Sequence, residues 1–243
     1  MKKKVISSTV AALLLSMSAF TALNASAGDF SGLGSLSQDQ YAKLSKDIGA
    51  AAAYRGVSPG NSLGITGFDI GIELTQTKIE NPAILKQAGG GDSSNLFVPK
   101  LHVHKGLPFG FDVGAFVSRV SGVDAALYGA EARYQIIEDG LTTPSVALRV
   151  SGSKLTGVSQ TSLSTVAVDA MVSKKLAFVT PYIGAGSVRI ANKPKVGTLT
   201  EVTSTQSRVF VGVNANFLLA NFAVEAEKMG DVNSISAKVG FRF

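Results

Sequence analysis

The chain has 243 residues with no cysteine, and charged side chains make up 16% of it, against about 25% in an ordinary soluble domain. Its mean hydropathy is +0.26 and it carries 26 glycines, yet nothing after residue 27 offers the roughly 20 apolar residues of a membrane helix. Half of the net charge of +6 comes from Lys2, Lys3 and Lys4. No Lys/Arg stripe follows them, which argues against a nucleic-acid partner.

Those three lysines open a targeting segment. An uncharged run from Val5 to Phe20 follows, broken by Ser7, Ser8, Thr9, Ser16 and Ser18, too short and too polar to span a bilayer. Ala25-Ser26-Ala27 supplies the small-x-small pattern that signal peptidase reads. The expectation is a signal peptide over 1–27, with the mature chain starting at Gly28.

Residues 28–66 form an N-terminal segment. Ser37-x-x-Gln40 has the form of a capping box, and Tyr41, Leu44, Ile48 and Ala51 or Ala52 follow at helical spacing. The spacing predicts a helix from about Ser37 to Tyr54, ended by the Gly56-to-Gly60 stretch around Pro59. Reading Ile48 to Arg55 as a strand instead would give an odd strand count, where bacterial single-chain barrels have an even one. The helix either plugs the lumen or lies beneath it in the periplasm.

From 67 to 243 the pattern changes to a period of two. Phe68-Ile70-Ile72-Leu74, Phe97-Leu101-Val103, Phe109 to Val117, Ala126 to Tyr134 and Val146-Leu148-Val150 alternate with small or charged residues. The ladder continues through Val166 to Val172, Phe178 to Ile190, Val209 to Phe217, Phe222 to Ala226 and Ile235 to Phe243. That makes ten strands. The intervening face is largely Gly, Ser, Ala and Asn with scattered charge. Inward Asp69, Glu73, Asp112, Glu131, Glu225 and Glu227 roughly balance Lys100, Arg133, Arg149, Arg208, Lys238 and Arg242. Aromatics (Phe68, Phe109, Phe111, Tyr134, Phe178, Tyr182, Phe217, Phe222, Phe241 and Phe243) gather towards one end, as an interfacial girdle requires. Turns near 106–108, 138–140, 173–175 and 218–221 share that end, and the longest connections, 80–95 and 191–205, lie at the other. The expected fold is all-β: an antiparallel up-and-down transmembrane β-barrel of about ten strands, with eight or twelve as alternatives, and a short N-terminal helix.

Gly240-Phe241-Arg242-Phe243, closing a strand of alternating apolar residues, resembles the C-terminal signature of the outer-membrane β-barrels of Gram-negative bacteria. The resemblance covers nearly the whole chain. It implies Sec-dependent export through the periplasm, outer-membrane lipid around the barrel, and delivery to the barrel assembly machinery through Phe243. It brings no catalytic pattern of an outer-membrane protease, phospholipase or lipid-modifying enzyme.

Candidate lumen-lining residues are Glu73, His102, Asp112, Glu131, Arg133 and Arg149. The only histidines, His102 and His104, point inward, and the hairpins are expected to set Glu73 and Asp112 on either side of His102. A histidine between carboxylates suits metal binding or general-base work; the competing reading is a salt-bridged interior, since buried charges must pair. No catalytic, metal or cofactor site is assigned, and no cofactor is expected. Ala88 to Asp92 lacks the Lys-Ser/Thr of a phosphate cradle and reads as a flexible loop. The expected role is a structural barrel or narrow channel. The alternatives are an adhesin or receptor acting through 80–95 and 191–205, and a membrane enzyme centred on His102.

Overall fold

The computed structural model describes residues 30–120 and 125–243; the expected signal peptide lies outside them. Ten strands are present: β1 (Phe68–Lys78), β2 (Asn95–Gly106), β3 (Phe111–Val120), β4 (Ala125–Ile137), β5 (Ser145–Thr156), β6 (Thr161–Ser173), β7 (Val179–Pro194), β8 (Val202–Phe217), β9 (Ala220–Met229) and β10 (Val232–Arg242). Each pairs antiparallel with its sequence neighbours, and β1 pairs with β10 to close the barrel. The fold is the expected transmembrane barrel, with ten strands.

Polarity is the reverse of a soluble domain. Outward Val150, Val168, Val211 and Ile235 are more than half exposed, whereas inward Asp69, Glu73, Lys100 and Asp112 have no exposed surface at all. Alternation along each strand produces this, and only a lipid surround makes it stable. Aromatic pairs ring one end, here called the base: Phe68 with Phe243, Phe111 with Tyr134 and Phe178 with Phe217, centroids 5.7, 4.5 and 4.8 Å apart. Two members of the expected girdle differ. Tyr182 faces the lumen, because its place in β7 shares parity with buried Thr180 and Val188. Phe109 sits in the β2–β3 turn at φ 63° rather than in a strand.

The abundant glycines have a cross-strand reason. Inward aromatic rings lie opposite glycine in register: His104 opposite Gly114, Phe116 opposite Gly129, Phe210 opposite Gly184, Tyr182 opposite Gly212. A methyl group added at Gly212 would lie 2.3 Å from the Tyr182 ring. Glycine thus clears floor for a ring that covers the neighbouring strand.

The other end, the mouth, departs from expectation. β7 runs to Pro194 and β8 begins at Val202, so the 191–205 loop shrinks to 195–201. That is no longer than the 138–144 connection at the base, so the asymmetry of loop lengths rests on 79–94 alone. The latter is no free loop either. It holds a short helix, α2 (Pro82–Gln87), whose Leu85 is fully buried, and Ala88 accepts a bond from Gly32 N–H at 3.1 Å.

Candidate functional site

The lumen is occupied by the N-terminal segment. Helix α1 (Gln38–Ala52) starts on the expected capping box: the Ser37 hydroxyl accepts from Gln40 N–H at 3.2 Å, and the Gln40 side chain accepts from Ser37 N–H at 2.9 Å. It lies inside the mouth half of the barrel, with Tyr41, Leu44 and Ile48 packed among Leu163, Val188, Ile190 and Phe116. It approaches β7 so closely that a Cβ at Gly49 would sit 2.5 Å from Ile190. The helix therefore lies within the barrel rather than beneath it.

The mouth connections clasp it from outside. Gln38 exchanges hydrogen bonds with Thr200 at 2.9 and 3.2 Å. Asp47 accepts from the backbone and side chain of Asn81, and burial raises its carboxyl above the usual range.

The helix ends at Ala52, two residues before the expected limit, because the next turn is met by side chains instead of backbone. Ser153 donates to Ala52 C=O at 2.7 Å, and Arg55 donates to Ala50 C=O at 2.9 Å. Orphan carbonyls at a helix end need such partners. Arg55, with no exposed surface, also reaches Glu227 on β9 at 2.7 Å and Ser234 on β10 at 3.0 Å.

Residues 53–67 then descend to the base as an irregular thread. Arg208 donates to Tyr54 C=O at 2.8 Å, and Arg133 donates to the Ser58 hydroxyl and Pro59 C=O, each at 2.8 Å. The Ser62 hydroxyl and the Leu63 N–H donate to Asp112 at 3.1 and 3.0 Å. The inward charges thus satisfy a backbone that has no strand partner, as buried polar groups must be.

These charges form a linked network. Asp169 binds Arg149 at 2.9 Å and also Arg208; Glu227 lies 3.6 Å from Arg208; Asp112 binds Arg133 at 2.7 Å. Glu131 lies 3.8 Å from Arg149 and 3.5 Å from His104, and Asp69 bridges Lys238 and Arg242 at 3.1 and 2.5 Å. Buried ions at such distances are stable only as pairs.

His102 meets Glu73 at 2.5 Å, and Lys100 meets Glu73 at 2.7 Å. Asp112, expected on the other side of His102, is not there. The β2–β3 register places Phe116 opposite His102 and leaves Asp112 opposite Gly106, where it serves Arg133 and the thread. The ring of His102 is instead stacked on His104, with Phe116 and Tyr54 around it. The Tyr54 hydroxyl lies 3.2 Å from His104 Nε2. Among the described residues no group of three His, Asp or Glu side chains is arranged to hold a metal.

Arg55 went unread in the sequence. One signal was available: it is the only charged residue between Asp47 and Asp69, just after a predicted helix in an otherwise small, apolar stretch.

No family model and no curated protein matches the chain. Solved barrels do. The translocator domain of the autotransporter NalP from Neisseria meningitidis is 10% identical, covering 84% of this chain and 95% of its own, with a TM-score of 0.40. The KdgM porin gives 10% identity, 72% and 99% coverage and a TM-score of 0.36. Neisserial surface protein A gives 12%, 72% and 94%, with a TM-score of 0.32.

Proposed function

We propose that this chain is an outer-membrane β-barrel closed at rest by its own N-terminal segment, a structural barrel or narrow channel without an open pore. The observation that carries this reading is the occupancy of the lumen. α1 fills the mouth half, the thread 53–67 fills the rest, and Arg55 ties them to β9 and β10. A ten-stranded barrel is little wider than the eight-stranded kind that side chains alone can fill, so a helix leaves no continuous water path.

The charged interior is assigned to holding the thread rather than to catalysis. His102 and Glu73 are fully buried, and the groups around the histidine are rings, Lys100 and a carboxylate. The aromatic base, with the Phe243 terminus, is placed on the periplasmic side and the mouth on the cell exterior, after Sec export and assembly-machinery insertion. The inner faces of 79–94 and 195–201 are engaged with the plug, which speaks for a closing role over an adhesive one.

Planar bilayers test the reading. The intact protein is expected to show only small, rare openings, and a version lacking residues 28–60 larger ones. Stable porin-sized conductance from the intact chain would overturn it.

A further inference from the structure

The outer surface near the mouth carries an unbalanced charge. Every acidic residue on a described strand faces the lumen and is buried. Outward and exposed at the mouth ends of the odd-numbered strands stand Lys78, Arg119, Lys154, Lys193 and Lys228, with Arg189 slightly lower on β7. None of the six has an ion pair or side-chain hydrogen bond among the described residues. Among the described residues the exposed acids of this region, Asp39, Glu80, Asp92, Glu201 and Asp231, belong to α1 and the connections, and Asp39 and Asp92 are already paired with Lys43 and Lys86. On β6 and β8 the matching outward places hold Ser162, Ser164, Thr203 and Thr205.

Register makes part of this belt compact. Across β5, β6 and β7, Lys154 is opposite Ser164, Lys193 opposite Ser162, and Arg189 opposite Val166. Cross-strand neighbours lie roughly 5 Å apart and diagonal ones roughly 7–8 Å apart, so three long cationic side chains converge around two hydroxyls. Below the belt, Ile183, Val209, Val211, Ala226 and Ile235 line an apolar groove of about 430 Å³ with Lys228 at its head. The groove exists because small Ala226 lies between Val211 and Ile235 in register.

We propose that this belt is a binding site for phosphate-bearing lipid of the surrounding leaflet, with the phosphate on Lys154, Arg189 and Lys193. The inference rests on the reading of the chain as a membrane barrel. Charge complementarity selects the occupant: unpaired cations directly above a lipid-facing apolar band meet headgroups, and Arg and Lys bind phosphate through charge-assisted hydrogen bonds.

The test uses the full-length protein in neutral detergent, with native mass spectrometry counting lipid retained from lipid A carrying its phosphates and from the same lipid stripped of phosphate. Wild type is expected to hold the phosphorylated form at least about tenfold more tightly, and less so as salt rises. The variant Lys154→Gln/Arg189→Gln/Lys193→Gln should lose that preference and hold the two lipids about equally, while Lys154→Arg/Arg189→Lys/Lys193→Arg keeps it. Equal retention of both lipids by wild type, or full retention by the glutamine variant, would overturn the proposal. Heat-shifted migration on gels reports separately whether each protein is a folded barrel. A chain that never folds as one would instead count against the membrane-barrel reading.

Discussion

Replacing Arg55 by Met should loosen the plug without dissolving the barrel. The substitution removes the ion pair to Glu227 at 2.7 Å, the hydrogen bond to Ser234 and the cap on Ala50 C=O. Breaking a buried pair costs about 3–5 kcal/mol because a charge is left alone. Here the lower end applies: Glu227 keeps Arg208 at 3.6 Å, and Met fills much of the vacated volume. A loss of about 3 kcal/mol corresponds to roughly a hundredfold rise in the displaced population, since about 1.4 kcal/mol is a factor of ten. The ten-strand hydrogen-bond ladder is untouched, so heat-shifted gel migration should remain. Single-channel recording should show openings about a hundred times more frequent than in wild type. Neutralising both partners, Arg55→Met with Glu227→Gln, should recover part of the difference. Wild-type opening frequency in a folded Arg55→Met barrel would refute the latch.

Four further outcomes are expected. Glu225→Gln should be nearly silent in thermal unfolding, because the Tyr182 hydroxyl donates to Glu225 at 2.9 Å and a glutamine carbonyl accepts the same bond, whereas Glu227→Gln should destabilise by about 2–4 kcal/mol by stranding Arg55. Gly212→Ala should cost about 1–3 kcal/mol in the same assay, since Tyr182 must leave the glycine it covers. Deleting Phe243 removes two backbone hydrogen bonds to Phe68, at 2.6 and 2.9 Å, worth about 1–3 kcal/mol together. Its larger effect should be a fall in outer-membrane level on immunoblots of cell envelopes. Mass spectrometry of envelope-derived protein should find a mature chain beginning at Gly28; a start at Met1 would defeat the targeting argument.

The strands were legible where lipid writes them. Between Phe68 and Leu74, or Val209 and Phe217, the outward face must be apolar, and the period of two follows. Above the hydrocarbon that constraint lapses: Ala191, Lys193, Thr203 and Thr205 face water or headgroups, so β7 and β8 continue unseen and the loop between them reads as too long. The capping box fixed the start of α1, but its end depends on Arg55 and Ser153, which become neighbours only in three dimensions. The misplacement of Asp112 beside His102 has a similar origin. Alternation fixes which face a residue takes, while the partner opposite depends on turn length. The turn at 107–110 sets Phe116, not Asp112, against the histidine.

The path of the N-terminal segment limits the routes of assembly. It enters at the mouth, passes among strands from both halves of the sheet, and joins β1 at the base, beside the rung where Phe68 meets Phe243. A helix about 10 Å across has no side entrance into a closed ten-strand cylinder. The segment takes its place either before β1 meets β10 or lengthwise through the open base, where its C-terminal end is tethered to β1.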